Sequence, residues 1–252
     1  MLHIIISGIS GHMGQHVLQA CLKDEDIEVV CGVDQADQAI SGFPVFESFT
    51  QLACKADVVI DFSNPSLTGD IIDYCRDTGT ALVMCTTGHT AQQQEQIRAL
   101  SEDVAVFMSA NMSLGIALLR SLAARAAQVL GDSFDIEIVE RHHNRKLDAP
   151  SGTAKILAEE INRACSEKYE YVYDRHIVSK KRDKREIGIH SIRGGTIVGD
   201  HEILFCGEDE IMSLSHQSSS RVVFAAGALK AAKYISTFKN GFYDMDSIIS
   251  GI

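Results

Sequence analysis

The chain has 252 residues, 45% of them hydrophobic, enough to bury a full core in one or two domains. Its formal net charge of -11 sets a field that repels nucleic acid and anionic membrane surfaces, so neither is an expected partner and an acidic ligand needs a local basic patch. No apolar run reaches the length of a membrane span, and Met1 to Ile6 leads into a glycine turn without a cleavable signal pattern, so a cytoplasmic protein is expected. In chain order, Leu2 to Ser7 comes first: a short apolar run with consecutive Ile, as in a parallel strand covered on both faces. The turn Gly8-Ile9-Ser10-Gly11-His12-Met13-Gly14 follows, then a helix from Gln15 to Lys23 and a second strand, Ile27 to Val33, ending at Asp34. Strand, glycine turn, helix, strand and terminal carboxylate stand at the spacing of a dinucleotide fingerprint, in the form G-x-x-G-x-x-G. Gly8 would permit the tight turn, Gly11 the approach of a pyrophosphate, and Gly14 close helix packing, while Asp34 would accept hydrogen bonds from a ribose. Such a turn can also be merely structural; the frame around it favours the dinucleotide.

The alternation continues with strands at Ala56 to Phe62, Ala81 to Met84 and Val104 to Met108, and helices at Leu67 to Arg76 and Ala91 to Leu100. Repeated right-handed crossovers of this kind build an α/β, doubly wound, Rossmann-like parallel sheet. Ligands bind such sheets at the carboxyl ends of their strands, where Thr86, Thr87, Asn111 and Ser113 fall. Ordinary loop capping is the competing reading of each. The seven cysteines, odd in number and mostly in apolar patterns, read as reduced, buried thiols.

Leu114 to Leu130 is a long amphipathic helix that leaves this domain, and Phe134 to Glu140 alternates like a half-buried strand. It runs into Glu140-Arg-His-His-Asn-Arg-Lys146-Leu-Asp148-Ala-Pro150-Ser-Gly-Thr153-Ala154, after which Thr153 to Cys165 is helical. Pro150 has no N–H and Ser151 is a good N-cap, so Gly152 and Thr153 are expected to present N–H groups beside Lys146, an anion site on a strand-to-helix turn. The bland alternative is a solvated basic surface with an incidental His-His pair. No metal is expected: His142 and His143 would point to opposite faces, and no Cys or carboxylate follows at zinc-like spacing. Arg175 to Arg185 is strongly basic and reads as a solvated loop, or as a lure for an acidic substrate. Glu186 to Arg193, Gly199 to Phe205 and Asp209 to His216 are strands which, with Phe134 to Glu140, make a four-stranded mixed sheet in an α+β second domain. Its second face needs a cover, and a neighbouring subunit would supply one. His190, His201 and His216 read as packing or interface residues. The small-residue helix from Arg221 to Tyr234 suits close packing on the parallel sheet, so the expected domains are 1–113 with 222–252, and 114–221.

Several motifs together resemble one family. Glu140-x-His142-His143-x-x-Lys146-x-Asp148-Ala-Pro-Ser-Gly-Thr-Ala154 is similar to the signature of 4-hydroxy-tetrahydrodipicolinate reductase, also called dihydrodipicolinate reductase, of lysine and diaminopimelate synthesis. The resemblance extends over the whole chain through Gly8-x-x-Gly11-x-Met13-Gly14, Asp61-Phe62-Ser63, Thr86-Thr87-Gly88, Asn111-x-Ser113-x-Gly115, Glu186-Ile-Gly-Ile-His190, Arg193-Gly-Gly-x-Ile-Val-Gly199 and Ser220-Arg221. It implies an oxidoreductase in which NADH or NADPH delivers hydride to a cyclic imine dicarboxylate. It implies that His142 and Lys146 handle the proton, and that His143, Gly152 and Thr153 hold a substrate carboxylate. It places the coenzyme on Gly8, Ile9, Ser10, Gly11, His12, Met13, Asp34, Cys85, Thr86, Thr87, Ser109, Ala110, Asn111 and Met112, and it implies a homotetramer. Departures from the family pattern include Met112 for Phe, Ala117 for Asn, Cys85 for Gly, and a basic loop without its usual glycines. Gln35 and His12 stand where Arg is often found, and a carboxylate at Asp34 without a nearby cation disfavours a ribose phosphate, so NADH is expected over NADPH.

Overall fold

The computed structural model describes residues 1–35, 42–176 and 179–251. The chain divides into two compact units, Met1–Leu114 with Arg221–Ile252, and Gly115–Ser220.

In the first unit the elements run β1 (Leu2–Ser7), α1 (His12–Cys21), β2 (Ile27–Val33), β3 (Val45–Phe46), β4 (Val58–Asp61), α2 (Thr68–Thr78), β5 (Ala81–Met84), α3 (Ala91–Leu100) and β6 (Ala105–Met108). The strands join into one parallel sheet of order β3-β2-β1-β4-β5-β6, which a later strand extends beyond β6. Ile4, Ile5 and Ile6 are wholly buried, as a strand covered on both faces requires. The order reverses between β1 and β4, the place where such sheets open a crevice. Gly8 sits there with φ +76°, and a Cβ on it would lie 2.6 Å from the Phe62 carbonyl oxygen. Gly14 lets α1 close on the turn, since a Cβ there would stand 2.1 Å from the Gly8 carbonyl oxygen.

The second unit holds α4 (Leu114–Leu130), whose first residue belongs to the other unit, then β7 (Asp135–His142), α5 (Gly152–Ala164), β8 (Glu170–Val172), β9 (Glu186–Arg193), β10 (Gly199–Cys206) and β11 (Ile211–Ser218). The mixed sheet runs β11-β10-β7-β9-β8, five strands where four were expected. The additional strand, β8, is three residues long, too short to carry a period-two signal. It is led in by a pair of hydrogen bonds between the Asn162 side chain and the Tyr169 backbone, both 2.9 Å. Ile136, Ile138, Ile187, Ile189, Ile203 and Phe205 form the sheet's side of the core, against Leu119 and Ala123 of α4 and Leu157 and Ile161 of α5.

One sequence expectation changes here and another is refined. The helix Leu114–Ser133, counted with its closing turn, is long and apolar enough to cross a membrane by length and composition, although no such run was expected. Its buried residues, including Leu119, Ala123 and Ala127, pack in the core of the second unit. Of the basic stretch Arg175 to Arg185, residues 177–178 lie outside the described residues, and 179–181 and 183–185 are exposed as in the solvated loop expected, while Arg175 and Arg182 are anchored to the sheet. Arg175 bonds Glu186 at 2.6 Å and Glu137 at 2.7 Å, and Arg182 donates to Asp135 at 2.8 Å and Glu137 at 3.1 Å. Carboxylates on one face of the strands turn these guanidinium groups inward.

The chain then returns to the first unit as α6 (Val222–Ile235), β12 (Gly241–Tyr243) and α7 (Met245–Ser250), with β12 pairing parallel to β6 as the seventh strand. Gly227 of α6 lies so close to the Met112 carbonyl oxygen that a Cβ would be 1.7 Å from it.

Candidate active site

In the first unit, the turn after β1 is held by its neighbours. Asp34 Oδ2 accepts from the Ser10 backbone N–H at 2.9 Å, and Gln15 Nε2 donates to the Ile9 carbonyl at 2.8 Å. The expected ribose carboxylate therefore stands against the glycine turn. Gly11 is the N-cap of α1 and offers no side chain, so the N–H groups of His12 and Met13 head the helix without a side-chain cap. Ser7 Oγ, Ser10 Oγ, Asp61 Oδ2 and Thr86 Oγ1 are buried without a hydrogen-bond partner among the described residues. Ser7 and Asp61 are register partners, and Thr86 follows the strand beside them. Polar groups in such positions are satisfied by a polar ligand, and a dinucleotide fits them.

The other expected coenzyme residues differ in what they present. Thr87 is exposed, while Ile9, Cys85 and Met112 have buried side chains and can offer only backbone atoms. Burial, and then the charge of Asp61, pushes the Cys85 thiol well above its ordinary range. It is a packing group. Ser109 to Ser113 form a self-bonded turn: Ser109 Oγ donates to the Asn111 carbonyl at 2.9 Å, and Asn111 Oδ1 accepts from the Ser113 N–H at 2.9 Å.

The second unit centres on the end of β7. Alternation puts Ile136, Ile138, Glu140 and His142 on the buried face, so the strand that builds the core also carries a carboxylate and an imidazole into it. Glu140 has no exposed surface. Its Oε2 accepts from His142 Nδ1 at 2.5 Å and Arg193 Nη1 at 2.8 Å, and its Oε1 from Arg193 Nη2 at 2.7 Å and the Ser151 N–H at 3.1 Å. Burial alone would raise the Glu140 carboxyl, but hydrogen bonds from Arg193, Ser191, His142 and Ser151 outweigh it and hold it down at about 2.

Ser151 is the N-cap of α5, as the sequence predicts, its hydroxyl accepting from the Ala154 N–H at 3.1 Å. Gly152 and Thr153 are the first two residues of that helix. Lys146 is mostly buried and its Nζ lies 2.9 Å from Asp148 Oδ1. His143 follows β7, and its carbonyl accepts the Lys146 N–H at 3.2 Å. Among the described residues no group of three or more His, Cys, Asp or Glu could hold a metal ion.

His201, read from the sequence as packing or interface, is packed beside the residues expected at the site. It is the register partner of Glu140 across β7 and β10, is buried, and bonds Ser151 Oγ through Nε2 at 3.0 Å. Its ring meets that of His142 edge to face at 5.2 Å. Burial first, and then the charges of His142, His216 and Lys146, lower its pKa to about 4 against the pull of Glu140, so it is neutral at neutral pH. That Lys146 and His142 both act on it puts amine and imidazole in one electrostatic neighbourhood. The period-two pattern puts His201 on the buried face with Ile203 and Phe205, but its meeting with Glu140 is set by the register of β7 against β10, which no local pattern carries. A groove of about 780 Å³ beside α1 and α6, lined in part by His16, Lys23, Leu229 and Lys230, contains none of the expected site residues.

A parallel-sheet unit with a glycine turn and a carboxylate after its second strand, in one chain with a unit that gathers a capped helix start, an imidazole and an amine, defines a two-domain nicotinamide-dependent oxidoreductase. Comparison with known proteins gives the family. Residues 2–112 match "Dihydrodipicolinate reductase, N-terminus" and residues 115–249 match "Dihydrodipicolinate reductase, C-terminus". The chain is 45% identical over 251 residues to the 4-hydroxy-tetrahydrodipicolinate reductase of Clostridium tetani, covering 99% of this chain and 98% of that one. It is 43% identical over 249 residues to the enzyme of the same name from Caldanaerobacter subterraneus subsp. tengcongensis, with the same coverage of 99% and 98%. Among solved structures, the dipicolinate-bound dihydrodipicolinate reductase from Paenisporosarcina sp. TG-14 superposes with a TM-score of 0.82 at 28% identity, covering 97% of each chain. The chain belongs to the dihydrodipicolinate reductase family.

Proposed function

We propose that this protein is a cytoplasmic enzyme that reduces the cyclic imine dicarboxylate 4-hydroxy-tetrahydrodipicolinate to tetrahydrodipicolinate in lysine and diaminopimelate synthesis, with NADH preferred to NADPH. The observation that carries the reading is the meeting of His142 and the Ser151-capped start of α5 on one buried carboxylate, Glu140. The relative from Paenisporosarcina holds dipicolinate, a dicarboxylate of the same ring class, which supports a dicarboxylate here. Residues 1–113 and 222–252 would serve the coenzyme, and 114–221 the substrate and assembly. A bound nicotinamide supplies the hydride. Gly8, Ile9, Ser10, Gly11, His12 and Met13 would hold the pyrophosphate, Asp34 the ribose, and Cys85, Thr86, Thr87, Ser109, Ala110, Asn111 and Met112 the remaining contacts.

The protein's own part is to seat the substrate and manage one proton. His143 and the N–H groups of Gly152 and Thr153 receive a carboxylate at the positive end of α5. His142 and Lys146 supply the proton that completes the reduction and stabilise the charge that develops before it arrives. Asp34, with Gln35 beside it and no arginine at position 12, accepts ribose hydroxyls and repels a 2′-phosphate.

The test is oxidation of NADH and NADPH, followed spectrophotometrically with enzymatically generated substrate. Turnover with the cyclic imine and a lower KM for NADH is expected; coenzyme binding without turnover would defeat the assignment, and tighter use of NADPH would defeat the preference. His142→Gln and Lys146→Ala should each lower kcat by about 100-fold or more while leaving coenzyme affinity within about twofold. Near-wild-type turnover in both would remove those residues from the chemistry.

A further inference from the structure

We propose that Glu140 is a positioning residue that locks His142 in one tautomer and ties it to the substrate-holding turn. The inference rests on the reading of His142 as the proton-handling group and deepens it. Donors from four residues converge on the two oxygens of this buried side chain: both terminal nitrogens of Arg193, the Ser191 side chain, the Ser151 backbone N–H, and His142 Nδ1. An ionised carboxylate only accepts, so the hydrogen between it and His142 belongs to the ring, and Nδ1 is the protonated nitrogen. Proton exchange is then confined to Nε2. When His142 gives up its proton it leaves from Nε2, Nδ1 keeps its hydrogen, and no proton passes to Glu140, which Arg193 holds as an anion. The fork from Arg193 is the element that separates this arrangement from a shared proton, because two charge-assisted bonds stabilise the charged carboxylate and would be lost on its protonation.

Space is arranged to match. Position 199 is glycine, and a Cβ there would come within 3.0 Å of His142 Nε2, crowding the nitrogen left for exchange. The other oxygen of Glu140 holds the Ser151 N–H at 3.1 Å, and the Ser151 hydroxyl caps α5 and meets neutral His201. One rigid group therefore sets the distance between the imidazole and the helix start that would seat the substrate carboxylate. A ring free to rotate about its last torsion would lose that setting, as happens when the hydrogen-bond partner of an active-site imidazole is removed.

The experiment compares Glu140→Gln, His142→Gln and wild type by steady-state kinetics and by nitrogen-15 spectra of the histidine rings. Wild type should show His142 as the Nδ1–H tautomer whenever it is neutral. Glu140→Gln should lower kcat by about 10–100-fold with the KM for NADH unchanged, and should mix the His142 tautomers. A folded Glu140→Gln enzyme with wild-type kcat and an unmixed ring, beside an inactive His142→Gln, would overturn the positioning role while leaving the function of His142 intact. An active His142→Gln would overturn the reading beneath it. Should Glu140→Gln not fold, the wild-type spectrum still decides, because an Nε2–H tautomer at neutral pH refutes the assignment.

Discussion

A carboxylate with no exposed surface persists as an anion in a core only when bonds to it replace the water it has lost, and Glu140 has four donor residues in Arg193, Ser191, His142 and Ser151. The consequence for stability has a definite sign. The folded-state value of about 2 lies below the ordinary 4.5, so Glu140 contributes stability that is fully present above pH 4.5 and is lost as pH falls towards 2. The contribution is on the order of 3 kcal/mol. Wild-type Tm should therefore fall more steeply between pH 5 and 2.5 than that of Glu140→Gln, measured by circular dichroism. Comparing slopes removes the offset at neutral pH that comes from leaving Arg193 unpaired, and parallel slopes would count against the four-donor account. At this scale the sequence is legible where residue type and local order suffice, as with Ser151 capping α5 or Asp34 closing its strand. It is illegible where strands far apart in the chain must be registered: nothing local says that Arg193 and His201 both arrive at Glu140, 53 residues away in one case and its register partner in the other.

Long elements with a clear period are readable, and β1, β2, α2, β5, α3 and β7 fall within a few residues of where the pattern puts them. What escapes is of two kinds. β3, β8 and β12 have two or three residues each, too few for alternation to appear, and exist because a neighbouring strand offers an edge. In the basic stretch after Tyr173, Arg175 and Arg182 are held by Glu137, Asp135 and Glu186, acids that a local window does not contain together. Helix packing gives a paired test of element-level constraint. Gly227 of α6 faces the Met112 backbone, which has no flexible end to move aside, whereas Gly69 of α2 has nothing within 4 Å of its would-be Cβ. Gly227→Ala should cost about 1–3 kcal/mol through overpacking and, on the proposal that the Met112 turn contacts the coenzyme, weaken NADH binding. Gly69→Ala should be neutral or stabilise by up to about 1 kcal/mol through helix propensity. Thermal unfolding of both variants measures this, and equal effects would contradict the packing assigned to α6.

At the scale of the whole molecule, the mixed sheet of the second unit has one face committed to its core and the other facing outward. The outward side is not simply hydrophilic: Ile192 of β9 and Ile211 of β11 are exposed there, in register with Arg141 and Cys206 on the neighbouring strands. The same face carries ion pairs such as Arg141 with Glu202, at 2.9 Å, set among the apolar side chains. Apolar residues interleaved with internally paired charges suit a self-complementary interface, since burying the face need not strand any charge. The homotetramer expected from the family resemblance would use this surface. Light scattering should then find four chains per particle. Ile192→Lys combined with Ile211→Lys should dissociate them, while NADH binding to the first unit changes less than about threefold because these residues lie outside that unit. A monomeric wild-type protein would end the tetramer proposal, and tetramers that survive both lysines would move the interface to another surface.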